Sequence, residues 1–271
     1  MIVDPAAPGG AVSAFYHFAT ALAVGSATPL VLVSLSGPGR RFFILCTLVG
    51  LVFYALAFVG GGLGVGYLHL ACAGLLVAYN VSLPRQGSRL SSPILWAAVL
   101  LGNAGLVLDA LAERGTAPGL GSAAGAHLAA AAVASSALMG SSLAAMVLGH
   151  WYLVTRGLSF ELLRRLVLAL GAAVAFRALA AGAASLEQSE RFAELWRTLG
   201  PATFGLQYGF FIAARVLFGL LAPLALTGMA LACVREHSNQ SATGILYVVL
   251  AFVLIGEIIQ RHLLASGGIL V

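Results

Sequence analysis

Charged residues are scarce in this chain, and lysine is absent. Aspartate, glutamate and arginine together make up only 8% of the 271 residues, and all 14 basic residues are arginine. Apolar residues make up 61% of the chain, and the mean hydropathy is +1.01. A water-soluble domain of this length cannot carry so much apolar surface. The composition therefore predicts a polytopic integral membrane protein.

Cysteine is also scarce, and its positions argue against a metal site. Cys46, Cys72 and Cys233 each lie within an apolar run, without a Cys-x-x-Cys pair or a Cys/His cluster of metal-ligand spacing. We expect no metal site, and this chain alone cannot hold an iron–sulfur cluster. The arginines are spread over short loops instead of forming a basic stripe, so the net charge of +5 does not indicate a nucleic-acid partner.

Apolar runs divide the chain into eight segments near the roughly 20 residues that a bilayer requires. The predicted spans are 14–36, 42–61, 64–83, 93–112, 124–154, 163–185, 207–234 and 242–264. The runs are continuous, which is typical of membrane helices. We predict an all-α bundle of eight transmembrane helices, a single domain over residues 1–271 that contacts membrane lipid. The segment 186–204, which holds three glutamates and Trp196, is predicted to be an amphipathic surface segment.

The arginines between the spans predict the orientation of the bundle. Loops after the first, third, fifth and seventh spans hold Arg40, Arg41, Arg85, Arg89, Arg156, Arg164, Arg165 and Arg235, and the opposite loops hold Arg114, Arg191 and Arg197. Cytoplasmic loops of membrane proteins are enriched in basic residues. We therefore expect a multi-pass protein of the bacterial cytoplasmic membrane with both termini outside.

Ionisable residues inside the spans form the candidate site. Counted from the cytoplasmic ends of their helices, Arg177, His69, Asp109 and Glu257 lie about 12 to 16 residues deep, and His17 and Arg215 lie about 19 residues deep. Such groups are costly in hydrocarbon unless they face a partner, a cavity or a ligand. The sequence therefore predicts that six helices bring polar side chains together around one cavity in the outer half of the membrane.

A quinone fits such a cavity. Its flat apolar ring has two carbonyl oxygens that each need a hydrogen-bond donor, and its redox chemistry needs a route for protons. We predict that Glu257 and Asp109 relay protons in quinol turnover. The quinone-binding residues are predicted to be His17, His69, Arg177, Arg215, Tyr67 and Gln207. The expected cofactor is menaquinone or ubiquinone.

Other interpretations of the same residues stay open. Arg177 and Glu257 can form a purely structural ion pair, and Asp109 and Arg215 can reach the membrane interface. A b-type haem would use His17 and His69 as axial ligands, although no helix has the two spaced histidines of the usual two-haem arrangement. A proton-coupled transporter would bind an anionic substrate through its buried arginines. A structural or assembly subunit is a further alternative.

The last span carries a resemblance to a known family. Residues 255–264 read Ile-Gly-Glu-Ile-Ile-Gln-Arg-His-Leu-Leu. Together with eight spans and outside termini, they resemble the membrane anchors of dimethyl sulfoxide reductase and polysulfide reductase-like quinol subunits. Gly256, Glu257 and Arg261 align with the motif, whereas Gln260 stands where a glycine is usual. The resemblance implies an iron–sulfur partner subunit, commonly with a molybdopterin catalytic subunit, docked on the outer face and exchanging electrons with the quinone.

Two further segments are distinctive and lie outside this resemblance. They read Gly-His-Trp-Tyr-Leu at 149–153 and Gln-Ser-Ala-Thr-Gly-Ile-Leu-Tyr at 240–247. Both fall near the cytoplasmic ends of their predicted spans. We expect the two segments to pack against each other there.

Overall fold

The described part of the chain is entirely helical. The computed structural model describes residues 8–33, 37–61, 66–83, 91–112, 122–155 and 158–271, and these residues include no strand. Their helices are α1 (Pro8–Ala27), α2 (Arg40–Gly61), α3 (Tyr67–Ser82), α4 (Ser91–Ala112), α5 (Ala123–Val154), α6 (Phe160–Glu187), α7 (Ser189–Leu199), α8 (Pro201–Arg235) and α9 (Asn239–Gly267). A 3₁₀ turn, Thr28–Leu32, extends α1.

Most of these helices are long and apolar enough to cross a membrane. Seven candidate spans are found in the described residues, in every helix except α3 and α7. The helix α3 is apolar but has 16 residues, fewer than the roughly 20 that a bilayer requires. The prediction of an all-α membrane bundle is confirmed, while eight spans and outside termini stay predictions. Four arginines used for the orientation, Arg85, Arg89, Arg114 and Arg156, lie outside the described residues.

The centre of the bundle is α5. It contacts α1, α2, α4, α6 and α9, and most of its residues are buried. Its inner positions are mostly alanine, glycine and serine, which let neighbouring membrane helices approach closely. The closest approach is to α1, where Gly140 faces Gly25: a Cβ atom on Gly140 would overlap the Gly25 carbonyl. The crossing of α1 and α5 therefore depends on glycine.

The helix α8 is irregular. Two π-helical stretches, Gly205–Gly209 and Leu217–Leu221, interrupt its α-helical hydrogen bonds. Each π turn accommodates an extra residue and changes which side chains face inward. Tyr208, in the first stretch, is buried, and so is Arg215, which lies between the two stretches. The residue pattern of this span does not predict the irregularity.

The helix α7 is the amphipathic segment predicted at 186–204. None of its residues is fully buried, and its charged side chains lie on the surface. Phe192, Leu195 and Leu199 pack against a cluster that includes Tyr208 and Leu263. The amphipathic surface segment is thus confirmed as a helix that covers one end of the bundle, which we call the α7 end.

The opposite end holds the two distinctive segments. The Tyr247 hydroxyl lies 3.2 Å from His150 Nδ1. A Cβ atom on Gly149 would lie 3.0 Å from Thr243 Oγ1, which shows how closely α5 and α9 approach here. The prediction that 149–153 and 240–247 pack together is confirmed.

Replacing Gly140 with alanine should separate α1 from α5. The added methyl group has no space beside the Gly25 carbonyl, and overpacking of this kind costs about 1–3 kcal/mol. The free energy of unfolding can be measured by titrating the solubilised protein with SDS while helix content is followed. Gly244→Ala is the matched control, because a Cβ atom there meets nothing within 4 Å. Equal stability of the two variants would contradict the role of the glycine contact.

Candidate functional site

His69, Asp109, Arg177, Arg215 and Glu257 belong to two hydrogen-bonded networks toward the α7 end. The Asp109 network consists of Tyr16, Tyr54, His69 and Asp109, on α1 to α4. The Glu257 network consists of Ser135, Arg177, Arg215 and Glu257, on α5, α6, α8 and α9. Sequence reasoning expected one cavity lined by six helices. The hydrogen bonds instead group the predicted side chains into two sets, each held by four helices.

Asp109 is the centre of the first network. Its Oδ2 accepts a hydrogen bond of 3.1 Å from the Tyr16 hydroxyl and lies 3.0 Å from His69 Nε2. The other ring nitrogen, His69 Nδ1, lies 3.3 Å from the Tyr54 hydroxyl. A carboxylate only accepts hydrogen bonds, so Nε2 carries a proton, and in the neutral imidazole Nδ1 then accepts from Tyr54. The four side chains form a continuous hydrogen-bonded chain.

Burial changes along this chain. The Asp109 side chain is 20% exposed, whereas His69 is fully buried. Tyr54 is also buried, and its ring stacks on Phe58 with 5.6 Å between the ring centroids. The network thus leads from an accessible carboxylate to a phenol in the core. A chain of this kind can pass a proton between the bundle surface and its interior.

Glycine on α4 makes room for the imidazole. A Cβ atom on Gly105 would lie 3.0 Å from His69 Nε2, closer than most side-chain contacts. His69 therefore lies directly against the α4 backbone, one helical turn from Asp109. Tyr54 was missed by sequence reasoning, since a tyrosine within an apolar span carries no charge that would mark it. Tyr16 is likewise uncharged, and its hydrogen bond to Asp109 was not predicted.

Glu257 is the centre of the second network. Its Oε1 accepts hydrogen bonds from Arg177 Nε at 3.2 Å and from Arg215 Nη2 at 2.9 Å. Its Oε2 accepts one from the Ser135 hydroxyl. Both arginines and the glutamate are at most 1% exposed. Both carboxylate oxygens therefore have donors, and two guanidinium groups face one carboxylate.

Arg215 reaches Glu257 through a slot between α8 and α9. Gly219 and Gly256 line the slot, and a Cβ atom on Gly219 would overlap Arg215 Nη1. Among the described residues, Nη1 has no hydrogen-bond partner. One further donor of each arginine points to the same acceptor: Arg177 Nη2 and Arg215 Nε each donate to the backbone oxygen of Val271 at 3.3 Å.

A small cavity lies beside the Glu257 network. Its polar lining comes from Ser135, Arg177, Glu257, Gln260 and Arg261. Its volume of about 20 Å³ is enough for a water molecule. A quinone ring does not fit in a space of this size.

Two of the other predicted quinone-binding residues, Tyr67 and Gln207, are exposed, whereas His17 lies close enough to Asp109 to interact with its charge. Tyr67 is 88% exposed at the start of α3, and Gln207 is exposed on α8. His17 is half-buried beside Tyr16, with 5.2 Å between the ring centroids. The described residues contain no group of three or more His, Cys, Asp or Glu side chains that could hold a metal ion.

Replacing Glu257 with glutamine should destabilise the bundle. Two buried guanidinium groups would lose their counter-charge, and breaking a buried ion pair from one side costs about 3–5 kcal/mol. SDS titration measures the loss. Glu161→Gln is the control, because Glu161 makes comparable ion pairs of 3.2 and 3.1 Å with Arg164 and Arg165 on the surface. We expect this control to unfold like the wild type, and an equally mild effect at Glu257 would contradict the interpretation.

The comparisons with known proteins do not assign the chain to a family. No family model, curated protein or solved structure matches it. The resemblance of residues 255–264 to reductase membrane anchors stays a prediction.

Proposed function

We propose that this protein is a quinone- or quinol-binding membrane subunit that exchanges electrons with an extrinsic iron–sulfur partner. In this proposal it has eight spans, both termini lie outside the cytoplasm of a bacterial cell, and the α7 end faces outward. The observation that carries the proposal is the hydrogen-bonded chain of Tyr16, Asp109, His69 and Tyr54, which joins four helices.

The chemistry of a quinol requires such a chain. Oxidation of a quinol to a quinone releases two protons and two electrons. The electrons pass to the iron–sulfur partner, and the protons need acceptors close to the two hydroxyl groups. Asp109 is partly exposed and hydrogen-bonded to the buried His69. Its carboxylate can therefore accept a proton at the surface of the bundle while His69 holds the carboxylate in position. Carboxylate–imidazole pairs are well suited to proton transfer near neutral pH.

The position of Asp109 also provides access for a lipid-soluble ligand. Phe15 is exposed in the first half of α1 and Tyr67 at the start of α3, and Tyr16 and His17 are half-buried on α1. A quinone ring approaching from the bilayer can contact these aromatic side chains and reach Asp109 without entering the bundle. The small size of the internal cavity is compatible with such a peripheral site.

The Glu257 network supports the site from behind. Both oxygens of Glu257 already accept hydrogen bonds from buried donors, so the residue fits a role in holding α5, α6, α8 and α9 better than a role as a proton relay. His69 likewise fits the carboxylate pair better than axial ligation of a haem, since both of its ring nitrogens have partners. The proposal therefore assigns proton transfer to Asp109 and His69.

Replacing Asp109 with asparagine tests this assignment. The amide cannot accept the proton, so quinol oxidation should fall by about 10²–10⁴-fold, the usual contribution of a general base. The rate is measured in membranes that contain the protein with its redox partner. Binding of a fluorescent quinol analogue should change little, because the shape of the site is kept.

The control is Glu194→Gln, which makes the same chemical change on the exposed face of α7 and should leave the rate unchanged. Tyr16→Phe removes one hydrogen bond to Asp109 but keeps the carboxylate, and should retain most of the activity. Full turnover of the Asp109→Asn protein would exclude Asp109 as the proton acceptor.

A further inference from the structure

The two carboxylate oxygens of Asp109 have different surroundings. Oδ2 accepts a hydrogen bond from the Tyr16 hydroxyl and lies 3.0 Å from His69 Nε2. Oδ1 has no hydrogen-bond partner among the described residues, and it is not one of their fully buried polar atoms. Each oxygen of a carboxylate can accept hydrogen bonds. The described part of the protein therefore occupies one oxygen of this carboxylate and leaves the other available.

Gly66, the residue before α3, lies beside the available oxygen. A Cβ atom on Gly66 would lie 3.6 Å from Asp109 Oδ1 and 3.9 Å from His69 Cδ2. Glycine has no Cβ atom, so the backbone at this position borders a space that touches Oδ1. The space is small, and its size is set by the one missing methyl group.

Neither the backbone conformation nor the packing of the described residues requires glycine at position 66. Its φ of −58° and ψ of 135° belong to the extended region that other residues also adopt. A Cβ atom 3.6 Å from Oδ1 would make an ordinary van der Waals contact. The glycine at 105 differs, because a Cβ atom there would lie 3.0 Å from His69 Nε2 and disturb the imidazole. Gly105 thus serves the packing of the site, whereas Gly66 leaves Oδ1 uncovered.

The open side of Oδ1 suits a hydroxyl group on an aromatic ring. An O–H···O⁻ hydrogen bond brings the two oxygens to about 2.5–2.7 Å, so the donor needs close access to Oδ1. A methyl group in contact with Oδ1 would occupy part of that space. Tyr67, the next residue in the chain, is 88% exposed, and His17 lies close enough to interact with the Asp109 charge. These two rings can contact the ring that carries the hydroxyl group.

We propose that Asp109 Oδ1 is the atom that receives the proton of the ligand, and that Gly66 is a specificity-determining residue that admits a ring hydroxyl to this oxygen. The inference rests on the proposed function, which identifies the ligand as a quinol. The O–H bond of the quinol breaks, its proton binds to Oδ1, and the electron passes to the iron–sulfur partner. Oδ2 keeps its contacts with Tyr16 and His69, so the carboxylate stays in place during the transfer.

Gly66→Ala tests the open space in the full-length protein, in detergent micelles and without a redox partner. The probe is naphthol, which has one ring hydroxyl, and methoxynaphthalene has the same ring system without a donor. The variant should bind naphthol about 10- to 100-fold more weakly, because a hydrogen bond to a charged group is lost. Its affinity for methoxynaphthalene should change little. Titration calorimetry measures both affinities, with protein-free micelles as the reference.

The control is Gly74→Ala on the exposed side of α3, where a Cβ atom meets nothing within 4 Å. This variant carries the same chemical change and should bind naphthol like the wild type. The Gly66→Ala protein should resist SDS at least as well as the wild type, because alanine adopts the same backbone conformation without a clash. A Gly66→Ala protein that unfolds more readily would show that the glycine serves packing, and the proposal would be wrong.

Unchanged naphthol affinity in Gly66→Ala would overturn the proposal, and so would a wild-type protein that binds the two ring compounds alike. An equal loss for both compounds would also contradict it, because the methyl group would then block the ring and not the hydroxyl group. These outcomes are separate from those of the proposed function, since the binding needs no electron transfer. If naphthol affinity falls in Gly66→Ala while Asp109→Asn keeps full turnover, Gly66 controls access to Oδ1 but quinol oxidation does not use this oxygen.

Discussion

A carboxylate in the core of a membrane bundle must find its counter-charges inside the protein. Glu257 on α9 meets this requirement with donors from three other helices, Ser135 on α5, Arg177 on α6 and Arg215 on α8. Losing any of these partners would leave an uncompensated charge in the core, so the four helices must keep their relative positions. The packing of the second half of the chain follows from this one set of ion pairs.

The irregular helix α8 is a consequence of the same requirement. The long Arg215 side chain reaches Glu257 only because Gly219 and Gly256 leave a slot for it, and because π-helical stretches precede and follow its α-helical turn. A regular helix with larger residues would place the guanidinium group against backbone. The two glycines make no side-chain contacts of their own, but they leave space for the ion pair between Arg215 and Glu257. This ion pair links α8 and α9 where packed side chains would otherwise do so.

Much of the fold was predictable because membrane helices follow from composition and length. The amphipathic helix α7 and the contact between 149–153 and 240–247 were also predicted correctly. A charged residue within an apolar span correctly indicated a side chain with polar partners, since Asp109, Arg177 and Glu257 all have such partners in the structure. Their division into two networks was not predictable, because depth along a helix does not say which helices are neighbours.

The residues that were missed share a physical reason. Tyr54 and Tyr16 are uncharged, so their burial carries no large cost that sequence reasoning could detect. Gln260 was noticed only as a departure from the Gly-Glu motif, although its amide holds both Ile269 and Val271. Nothing in the apolar residues 269–271 indicates that they turn back after Gly268, because the signal for the return lies in the partners of their backbone.

The two networks differ in the exposure and the hydrogen bonding of their central carboxylates. In the Glu257 network, both carboxylate oxygens have donors and every ionic group is buried, an arrangement that gives rigidity and leaves little freedom for proton exchange. In the Asp109 network, the hydrogen bonds from Tyr16 and His69 fall on a single oxygen, Oδ2, and the carboxylate is partly exposed. A proton-transfer site needs access as well as orientation. The proposed redox chemistry therefore belongs at the edge formed by α1 and α4, while the ion pairs behind it keep the bundle closed.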